Sequence, residues 1–394
     1  MADPGRPPRL TYVITSLGLG GAQQQVASLA RRFTERGWDV DVVSLLGAAA
    51  GATTVALPDE VAVTSLDMTR RRVPDVRGVV RLARHLRARA PDVVHAHMVH
   101  ANLMARACRP WARMPVLVCT AHSPFEGGRL YDLAYRATDR WCDLTTNVSP
   151  QAVARYLATG AVPSPDRIRY VPNGIDVAGY GPRLDPERRA LLAELGVAPD
   201  RFVWLCAGRL AVEKDLGTLL QALRRTLEHE PRHHVLLAGD GDDRAALEAT
   251  AAELGVADRV TFLGYRNDVV RLMRAADGYV LSSAWEGLPM VLLEAAACRL
   301  PAVTTRVGGT TEIVLDGETG VVVEPRDPEA LARGLNELAA RSAAERAAMG
   351  EAARRHVAEG FDLERVTDLW EELFRTALAA RERARGGDRQ SRAR

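Results

Sequence analysis

The sequence has little of several features that are typical of other classes of protein. Its 394 residues include only five cysteines, widely spaced and odd in number, so we expect reduced thiols rather than a disulfide framework or a zinc ribbon. No apolar run reaches the ~18 residues of a membrane-spanning helix, and the first residues lack the apolar core of a signal peptide. The net charge of +2 argues against a nucleic-acid-binding protein. These absences predict a cytoplasmic globular protein.

Lysine is almost missing from the chain. Lys214 is the single lysine among 52 lysine and arginine residues. An ammonium group is a compact point charge with rotating donors, which differs physically from the planar fork of a guanidinium. A chain that uses arginine almost everywhere therefore indicates a specific role for Lys214, although a single residue is also compatible with chance.

Apolar stretches of strand length alternate with helical patterns in two successive series along the chain. Because 394 residues are too many for one compact core, two domains are expected. The alternation predicts two doubly wound α/β domains with a ligand cleft between them. We place the domain boundary just after the Asn173-Gly174 turn, so that residues 1–179 form the first domain and residues 180–362 the second.

The most informative stretch is SSAWEGLPMVLLEAAA, from Ser282 to Ala297. A short apolar strand precedes it, and a helix is expected to begin near Pro289, because proline is tolerated in a first helical turn. Glu286 lies in the loop and can accept hydrogen bonds from hydroxyl groups, while the N–H groups of the helix end suit a phosphate. This combination indicates a nucleotide-sugar site; the alternative is a buried helix with a capping glutamate.

A second polar loop follows the predicted strand Phe202 to Ala207. In the segment GRLAVEK, the guanidinium of Arg209 and the ammonium of Lys214 lie five residues apart. Two such cations can bind both phosphates of a diphosphate. The alternative interpretation is a solvated charged turn.

Histidines cluster at the ends of two predicted strands of the first domain. His95 and His97 alternate along one strand and therefore share a face, and His100 follows them. His122 comes directly after the strand Val116 to Thr120, at the edge of the sheet where open α/β folds bind ligands. Three histidines are also compatible with a zinc site, but no cysteine or carboxylate nearby completes a set of ligands.

Taken together, these motifs resemble those of the retaining GT-B glycosyltransferases of family 4. The stretch from Ser283 to Ala295 is similar to the family's E-x7-E signature, and GRLAVEK is similar to its G-R-L-x-x-E-K element. The resemblance extends over roughly residues 10–378. It implies a GT-B fold, with two Rossmann-like domains facing a central cleft and a last helix (363–380) that crosses back to the N-terminal domain. Residues 381–394 are expected to form a disordered basic tail.

The resemblance also implies roles for individual residues. Arg209 and Lys214 would bind the diphosphate, Glu286 the donor-sugar hydroxyls and Glu294 the ribose, while His122 would orient the transferred sugar. The implied catalytic set is His122, Glu286, Arg209 and Lys214. Further implied donor contacts are Gly20, Gly21, Gly239, Tyr265, Arg266, Gly287, Leu288 and Pro289. The candidate acceptor contacts are His97, Phe125, Glu126 and Tyr131.

The implied reaction is transfer of a hexosyl or N-acetylhexosaminyl group from a nucleotide-diphosphate sugar to an acceptor hydroxyl, by front-face substitution. UDP is the expected nucleotide, because UDP-sugars are the commoner donors in the family. The acceptor could be a sugar or cyclitol, a natural-product aglycone or a lipid-linked intermediate. No D-x-D-type motif stands in a suitable loop, so we expect neither a metal nor another cofactor.

Other activities are compatible with the same motifs. A GT-B nucleotide-sugar 2-epimerase and a sugar phosphorylase are the nearest enzymatic alternatives, and a non-catalytic nucleotide-sugar sensor is an alternative of another class. An NAD-dependent oxidoreductase is disfavoured, because Gln23 stands where the dinucleotide fingerprint requires glycine or alanine.

An arginine-rich helix is predicted from Thr69 to Ala90. Its apolar residues recur at helical spacing, and arginines cover much of the remaining surface. One interpretation is a helix with a solvated basic face. The other is a peripheral contact with anionic lipid at the inner face of the membrane.

Overall fold

The computed structural model describes residues 6–47, 54–68, 76–183 and 185–392. The chain divides into unit 1, formed by Met1–Gly174 with Leu363–Arg394, and unit 2, formed by Ile175–Asp362. The division falls at Gly174, five residues before the boundary at residue 179 that the sequence predicts. The reason is that the N–H of Ile175 already bonds to the carbonyl of Phe361 at 2.8 Å, within unit 2.

Within the described residues, unit 1 contains a seven-stranded sheet in which every strand pair is parallel. Its strands are β1 (Arg9–Ile14), β2 (Asp39–Leu46), β3 (Ala62–Met68), β4 (Val93–His97), β5 (Val116–Ala121), β6 (Leu144–Asn147) and β7 (Ile168–Tyr170). Its first five helices are α1 (Gly21–Glu35), α2 (Val76–Arg89), α3 (Val99–Cys108), α4 (Arg129–Thr138) and α5 (Pro150–Ala158). The predicted arginine-rich helix is thus observed from Val76, and its first part, residues 69–75, lies outside the described residues.

The strand order of unit 1 is β3-β2-β1-β4-β5-β6-β7, which reverses direction between β1 and β4. Open α/β sheets bind ligands beyond the carboxyl ends of the strands at such a switch point. The glycine loop after β1, His97 at the end of β4 and His122 after β5 all lie at this edge.

In the part of the chain that the structure describes, unit 2 has a six-stranded parallel sheet. Its strands are β8 (Phe202–Ala207), β9 (His233–Ala238), β10 (Val260–Gly264), β11 (Gly278–Leu281), β12 (Ala302–Thr305) and β13 (Gly320–Val323). Its helices are α6 (Asp185–Glu194), α7 (Leu216–Thr226), α8 (Arg244–Glu253), α9 (Val269–Ala275), α10 (Met290–Ala297), α11 (Thr310–Ile313), α12 (Pro328–Ala340) and α13 (Ala343–Gly360).

The strand order of unit 2 is β10-β9-β8-β11-β12-β13, with its switch point between β8 and β11. This order brings the loop after β8, which contains Arg209 and Lys214, next to the loop after β11, which contains Glu286. The two parallel-sheet α/β domains predicted from the alternating pattern are therefore confirmed.

The last helix, α14 (Leu363–Arg392), packs on the core of unit 1. Its buried Phe374 lies with its ring centroid 5.5 Å from that of Phe33, and Trp370 lies 4.4 Å from His95. Arg36, the C-cap residue of α1, donates hydrogen bonds to Glu364 and Glu371 of α14 at 2.8 and 2.9 Å. The helix is observed as far as Arg392, although the sequence predicts a disordered tail from residue 381.

Candidate active site

The two loops at the switch point of unit 2 are joined by direct hydrogen bonds. Ser282 donates its hydroxyl proton to the carbonyl of Lys214 at 2.8 Å, and the N–H of Ala284 donates to the carbonyl of Glu213 at 2.9 Å. These bonds fix the main chain of one loop against that of the other. The side chains of the two loops are thereby brought within reach of each other.

The central feature of this site is an ion pair between Lys214 and Glu286. The Lys214 Nζ lies 2.6 Å from Glu286 Oε1, with 17% and 13% of the two side chains exposed. Ser283 donates its hydroxyl to the same carboxylate oxygen at 2.7 Å. Among the described residues, none bonds to the second oxygen of Glu286, so this oxygen is available to a hydroxyl group. Sequence reasoning singled out both charged residues but did not foresee that they pair.

Arg209 lies in a different environment from Lys214. Its side chain is 71% exposed and pairs with Glu213, four residues further along the chain. Exposed pairs of this kind contribute little to stability. Its guanidinium can therefore exchange this partner for a phosphate at small cost.

Two glycines allow the backbone of the site to pack closely. Gly239 has φ +148°, and a Cβ there would lie 1.8 Å from the carbonyl oxygen of Gly208. Gly308 has φ +48°, and a Cβ there would lie 2.0 Å from the carbonyl oxygen of Glu286. The predicted donor contact Gly239 thus has a structural reason to be glycine. Gly308 holds the Glu286 loop in place, which sequence reasoning missed.

The helix expected near Pro289 is α10, and Pro289 is its N-cap residue. Glu294 is buried within this helix, and Tyr180 lies close to it. Burial and the nearby Glu294 carboxylate raise the pKa of Tyr180. Sequence reasoning did not single out Tyr180, because only the tertiary fold brings it to α10.

The remaining predicted donor contacts of unit 2 are placed differently from one another. Gly287 accepts the N–H of Gly309 at 2.6 Å, and Leu288 is buried. Tyr265 is exposed just beyond β10. The guanidinium of Arg266 forms a bidentate ion pair with the carboxylate of Asp268, with N–O distances of 2.7 and 2.6 Å. A contact between Arg266 and a nucleotide base would require this bond to open.

In unit 1, the loop between β1 and α1 presents the N-terminus of a helix at the switch point. Gly20 is the N-cap residue of α1, Gly21 begins the helix, and the first turn contains no acidic side chain. Exposed N–H groups at a helix start bind phosphate readily. This placement suits the predicted contact of Gly20 and Gly21 with a diphosphate.

His97 and His122 are bonded to each other in unit 1. The Nδ1 of His97 lies 2.9 Å from the Nε2 of His122. His97 is only 1% exposed, so its predicted contact with an acceptor is not favoured by this placement. Burial lowers the pKa of His122 to about 4, and burial with the neighbouring imidazoles lowers that of His97. Both rings are therefore neutral at physiological pH.

The loop after His122 contains the other predicted acceptor contacts. Phe125 is exposed, with the Arg155 guanidinium 4.7 Å from its ring centroid. The hydroxyl of Tyr131 lies 3.4 Å from His100 Nε2. Glu126 points inward instead: it accepts bonds from the hydroxyls of Tyr135 and Tyr156 and from the N–H of His122 (the distances are 2.8, 3.0 and 3.2 Å).

Within the residues that the structure describes, no three histidine, cysteine, aspartate or glutamate side chains are arranged as metal ligands. His95, one of the three histidines considered as zinc ligands, bonds to the hydroxyl of Thr120 at 2.6 Å.

Comparison with known families places both units in glycosyltransferase groups. A model of the family Glycosyl transferases group 1 matches residues 187–356, and a model of Glycosyltransferase Family 4 matches residues 19–178. The first match includes the whole Lys214 and Glu286 site. The second includes the glycine loop of α1, His97 and His122.

Named relatives have similar sequences. A D-inositol 3-phosphate glycosyltransferase of Acidothermus cellulolyticus is 31% identical over 370 residues, which cover 81% of this chain and 78% of that protein. An uncharacterized glycosyltransferase of Methanocaldococcus jannaschii is 31% identical over 260 residues, which cover 62% of this chain and 65% of that protein. An Escherichia coli UDP-Gal:alpha-D-GlcNAc-diphosphoundecaprenol alpha-1,3-galactosyltransferase is 26% identical, over 67% of this chain and 70% of its own length.

Solved structures with the same architecture include two with almost complete coverage. Sucrose-phosphate synthase of Thermosynechococcus elongatus gives a TM-score of 0.81 at 21% identity, covering 94% of this chain and 100% of that one. Anabaena HepE in complex with UDP-glucose gives a TM-score of 0.80 at 22% identity, covering 93% of this chain and 99% of that one. At these identities the likeness concerns the fold alone.

Proposed function

The chain belongs to the family 4 glycosyltransferases and has the GT-B fold, and from this premise we propose that it transfers a hexosyl or N-acetylhexosaminyl group from a UDP-sugar to an acceptor hydroxyl with retention of configuration. The observation that supports this most is the pair of Lys214 and Glu286 at the switch point of unit 2. It places a cation suited to phosphate beside a carboxylate suited to sugar hydroxyls. UDP as the nucleotide is supported by the name of the E. coli relative, which specifies UDP-Gal as the donor.

In the proposed reaction, negative charge grows on the departing diphosphate. Lys214, Arg209 and the N-terminus of α10 stabilise that charge, and each such donor typically lowers the barrier by ~2.7–4 kcal/mol. The acceptor hydroxyl enters on the face from which the diphosphate departs, and a phosphate oxygen takes its proton. Glu286 does not act as a covalent nucleophile in this scheme. One of its oxygens already accepts bonds from Lys214 and Ser283, which lowers its nucleophilicity.

The acceptor we favour is a phosphorylated cyclitol. This choice is supported by the relative from A. cellulolyticus, whose name specifies D-inositol 3-phosphate. A lipid-linked glycan is the second candidate, supported by the name of the E. coli relative. Both would present a hydroxyl and a phosphate to the acceptor side of the site.

The direct test is transfer with a panel of UDP-, GDP- and ADP-sugars, each with and without D-inositol 3-phosphate or a diphosphoundecaprenol-linked sugar. We expect a product only with donor and acceptor together, and an anomeric coupling in its NMR spectrum that matches the donor. Conversion of the donor alone would indicate the epimerase, and dependence on inorganic phosphate the phosphorylase. Saturable nucleotide-sugar binding without turnover would indicate a sensor.

We expect transfer to be independent of metal ions, because the proposal assigns the leaving-group charge to Lys214, Arg209 and the α10 N-terminus. The rate in excess EDTA should match the rate with added Mg²⁺ or Mn²⁺ within about twofold. Loss of activity in EDTA that only a divalent cation restores would contradict this prediction.

We further propose that unit 1 contacts anionic lipid peripherally. None of the helices in the described residues is both long and apolar enough to span a bilayer. On α2, Val76 and Val80 are 71% and 50% exposed among several arginines, although the sequence pattern counts both among the apolar residues that recur at helical spacing. On α4, Leu130 and Leu133 are 80% and 61% exposed, which the sequence pattern did not indicate. Exposed apolar side chains beside arginines suit an interfacial contact with acidic headgroups.

Co-sedimentation with phosphatidylglycerol vesicles tests this contact. Fully burying two leucines contributes about 3–6 kcal/mol. A pair that inserts only in part and contributes about 1.4 kcal/mol should therefore account for about tenfold in affinity. We expect V76N/V80N and L130N/L133N each to weaken binding by about that factor, and binding to phosphatidylcholine vesicles to be negligible. If neither variant changes binding, or wild type binds neither vesicle, the membrane contact is wrong.

A further inference from the structure

His122 is held at two separate points in unit 1. His97 bonds to its ring at 2.9 Å, and the Glu126 carboxylate accepts its main-chain N–H at 3.2 Å. His97 is buried, and Glu126 is half-buried. Their positions differ from the acceptor contacts that the sequence predicts for them.

The ring of His97 is fixed by its neighbours. Its centroid lies 4.0 Å from that of His95 and 5.6 Å from that of Tyr12. His97 Nε2 is buried and has no partner among the described residues. A fixed ring of this kind can determine the orientation of the imidazole to which it bonds.

This environment selects one tautomer of the histidine pair. A neutral imidazole has one N–H donor and one acceptor nitrogen. If His122 donated to His97, the proton of His97 would sit on the buried Nε2 without an acceptor, and buried unpaired N–H groups are rare. His97 Nδ1 therefore donates to His122 Nε2. His122 then has its own proton on Nδ1, which no described residue engages.

The Glu126 carboxylate is fixed as firmly as His97. Tyr135 and Tyr156 both donate to its Oε2. Tyr135 in turn accepts a bond from Asn102 at 2.8 Å, and Asn102 also donates to the carbonyl of Thr120 at 2.9 Å. Thr120 is on β5, next to the strand end that carries His122. This network connects the Glu126 carboxylate to the strand that presents His122.

We propose that His97 and Glu126 are positioning residues for His122: His97 sets its ring orientation and tautomer, and Glu126 fixes its main chain. The kinetic part of this inference rests on the proposed function, in which His122 orients the transferred sugar. A neutral His122 with its proton on Nδ1 presents a hydrogen-bond donor to a sugar oxygen, and it does so without the cost of removing a charge from water.

The tautomer is tested by ¹⁵N NMR of protein labelled at its histidines, with His122→Asn identifying the His122 signals. This measurement requires no turnover, so it tests the inference even if the proposed function fails. We expect His122 to be protonated on Nδ1 in wild type and to lose that preference in His97→Phe. Protonation on Nε2 in wild type, or an unchanged His122 spectrum in His97→Phe, would overturn the role of His97.

The matched control for this experiment is His234→Phe. His234 is also a buried histidine on a parallel strand, β9 of unit 2, and it bonds to the hydroxyl of Thr261 at 2.8 Å rather than to another histidine. We expect this variant to keep the His122 tautomer and to keep kcat within about twofold of wild type.

Kinetics separate positioning from acceptor binding. Misplacing a reacting group by about 1 Å can lower a rate by ~10²-fold. We expect Glu126→Gln and His97→Phe to lower kcat by about 10- to 100-fold with little change in the acceptor KM, and Tyr156→Phe to give a smaller decrease of the same kind. A raised acceptor KM with unchanged kcat in Glu126→Gln would instead show that Glu126 binds the acceptor.

Discussion

Replacing Lys214 with methionine is expected to lower kcat by about 10²–10³-fold, the usual effect of removing one donor that stabilises charge in the transition state. The loss has two physical causes. The departing diphosphate loses an ammonium partner, and the largely buried Glu286 loses the cation that lies 2.6 Å away. Breaking such a pair leaves an uncompensated carboxylate, which is destabilising in its own right. Lys214→Arg should recover part of the activity, because it restores the charge with a different shape.

Nucleotide binding provides a second measurement on the same variant. A ligand at ~100 times its Kd stabilises a protein by about 2.7 kcal/mol, which a thermal shift detects. We expect UDP to stabilise the wild-type protein and to stabilise Lys214→Met much less. The control is Arg224→Met, which removes a cation from an exposed pair with Glu228 at 3.2 Å in unit 2. An unchanged UDP shift and kcat in Lys214→Met would exclude Lys214 as a diphosphate ligand.

The elements of this fold could be predicted because they depend on local patterns. Buried parallel strands require continuous apolar runs, and loops at their carboxyl ends require glycine or polar residues. The apolar run before Ser282 satisfies the first requirement, and the GRLAVEK loop satisfies the second. The resemblance of the motifs supplied their order, and with it the expectation that Lys214 and Glu286 serve one ligand.

The contacts between side chains could not be predicted in the same way. His97 and Glu126 have polar side chains beside a predicted ligand edge, which is equally compatible with facing a substrate and with facing His122. Only the strand register and the packing of α4 show that both point inward. Tyr180 and Glu294 are a similar case, since their proximity depends on how the chain enters unit 2. Local sequence does not contain this information.

Replacing Phe374 with alanine is expected to lower the free energy of unfolding of unit 1 by ~3–5 kcal/mol, the usual cost of deleting a buried aromatic ring. Phe374 is fully buried and packs against Phe33 and Trp38, whose ring centroids lie 5.5 and 6.1 Å away. Calorimetry should therefore show a large decrease in the unit 1 transition. Leu369→Ala, on the exposed side of the same helix, is the control and should have a small effect.

This prediction also bears on the proposed active site, because α14 lies behind the histidines. Trp370, one turn before Phe374, lies 4.4 Å from His95, which in turn lies 4.0 Å from His97. Since His97 bonds to His122, a helix that is distant in sequence supports the residue proposed to orient the sugar. A decrease below about 1 kcal/mol in Phe374→Ala, or an equal decrease in Leu369→Ala, would show that α14 is not integral to unit 1. The packing of α14 would then no longer explain why the histidine rings are held in place.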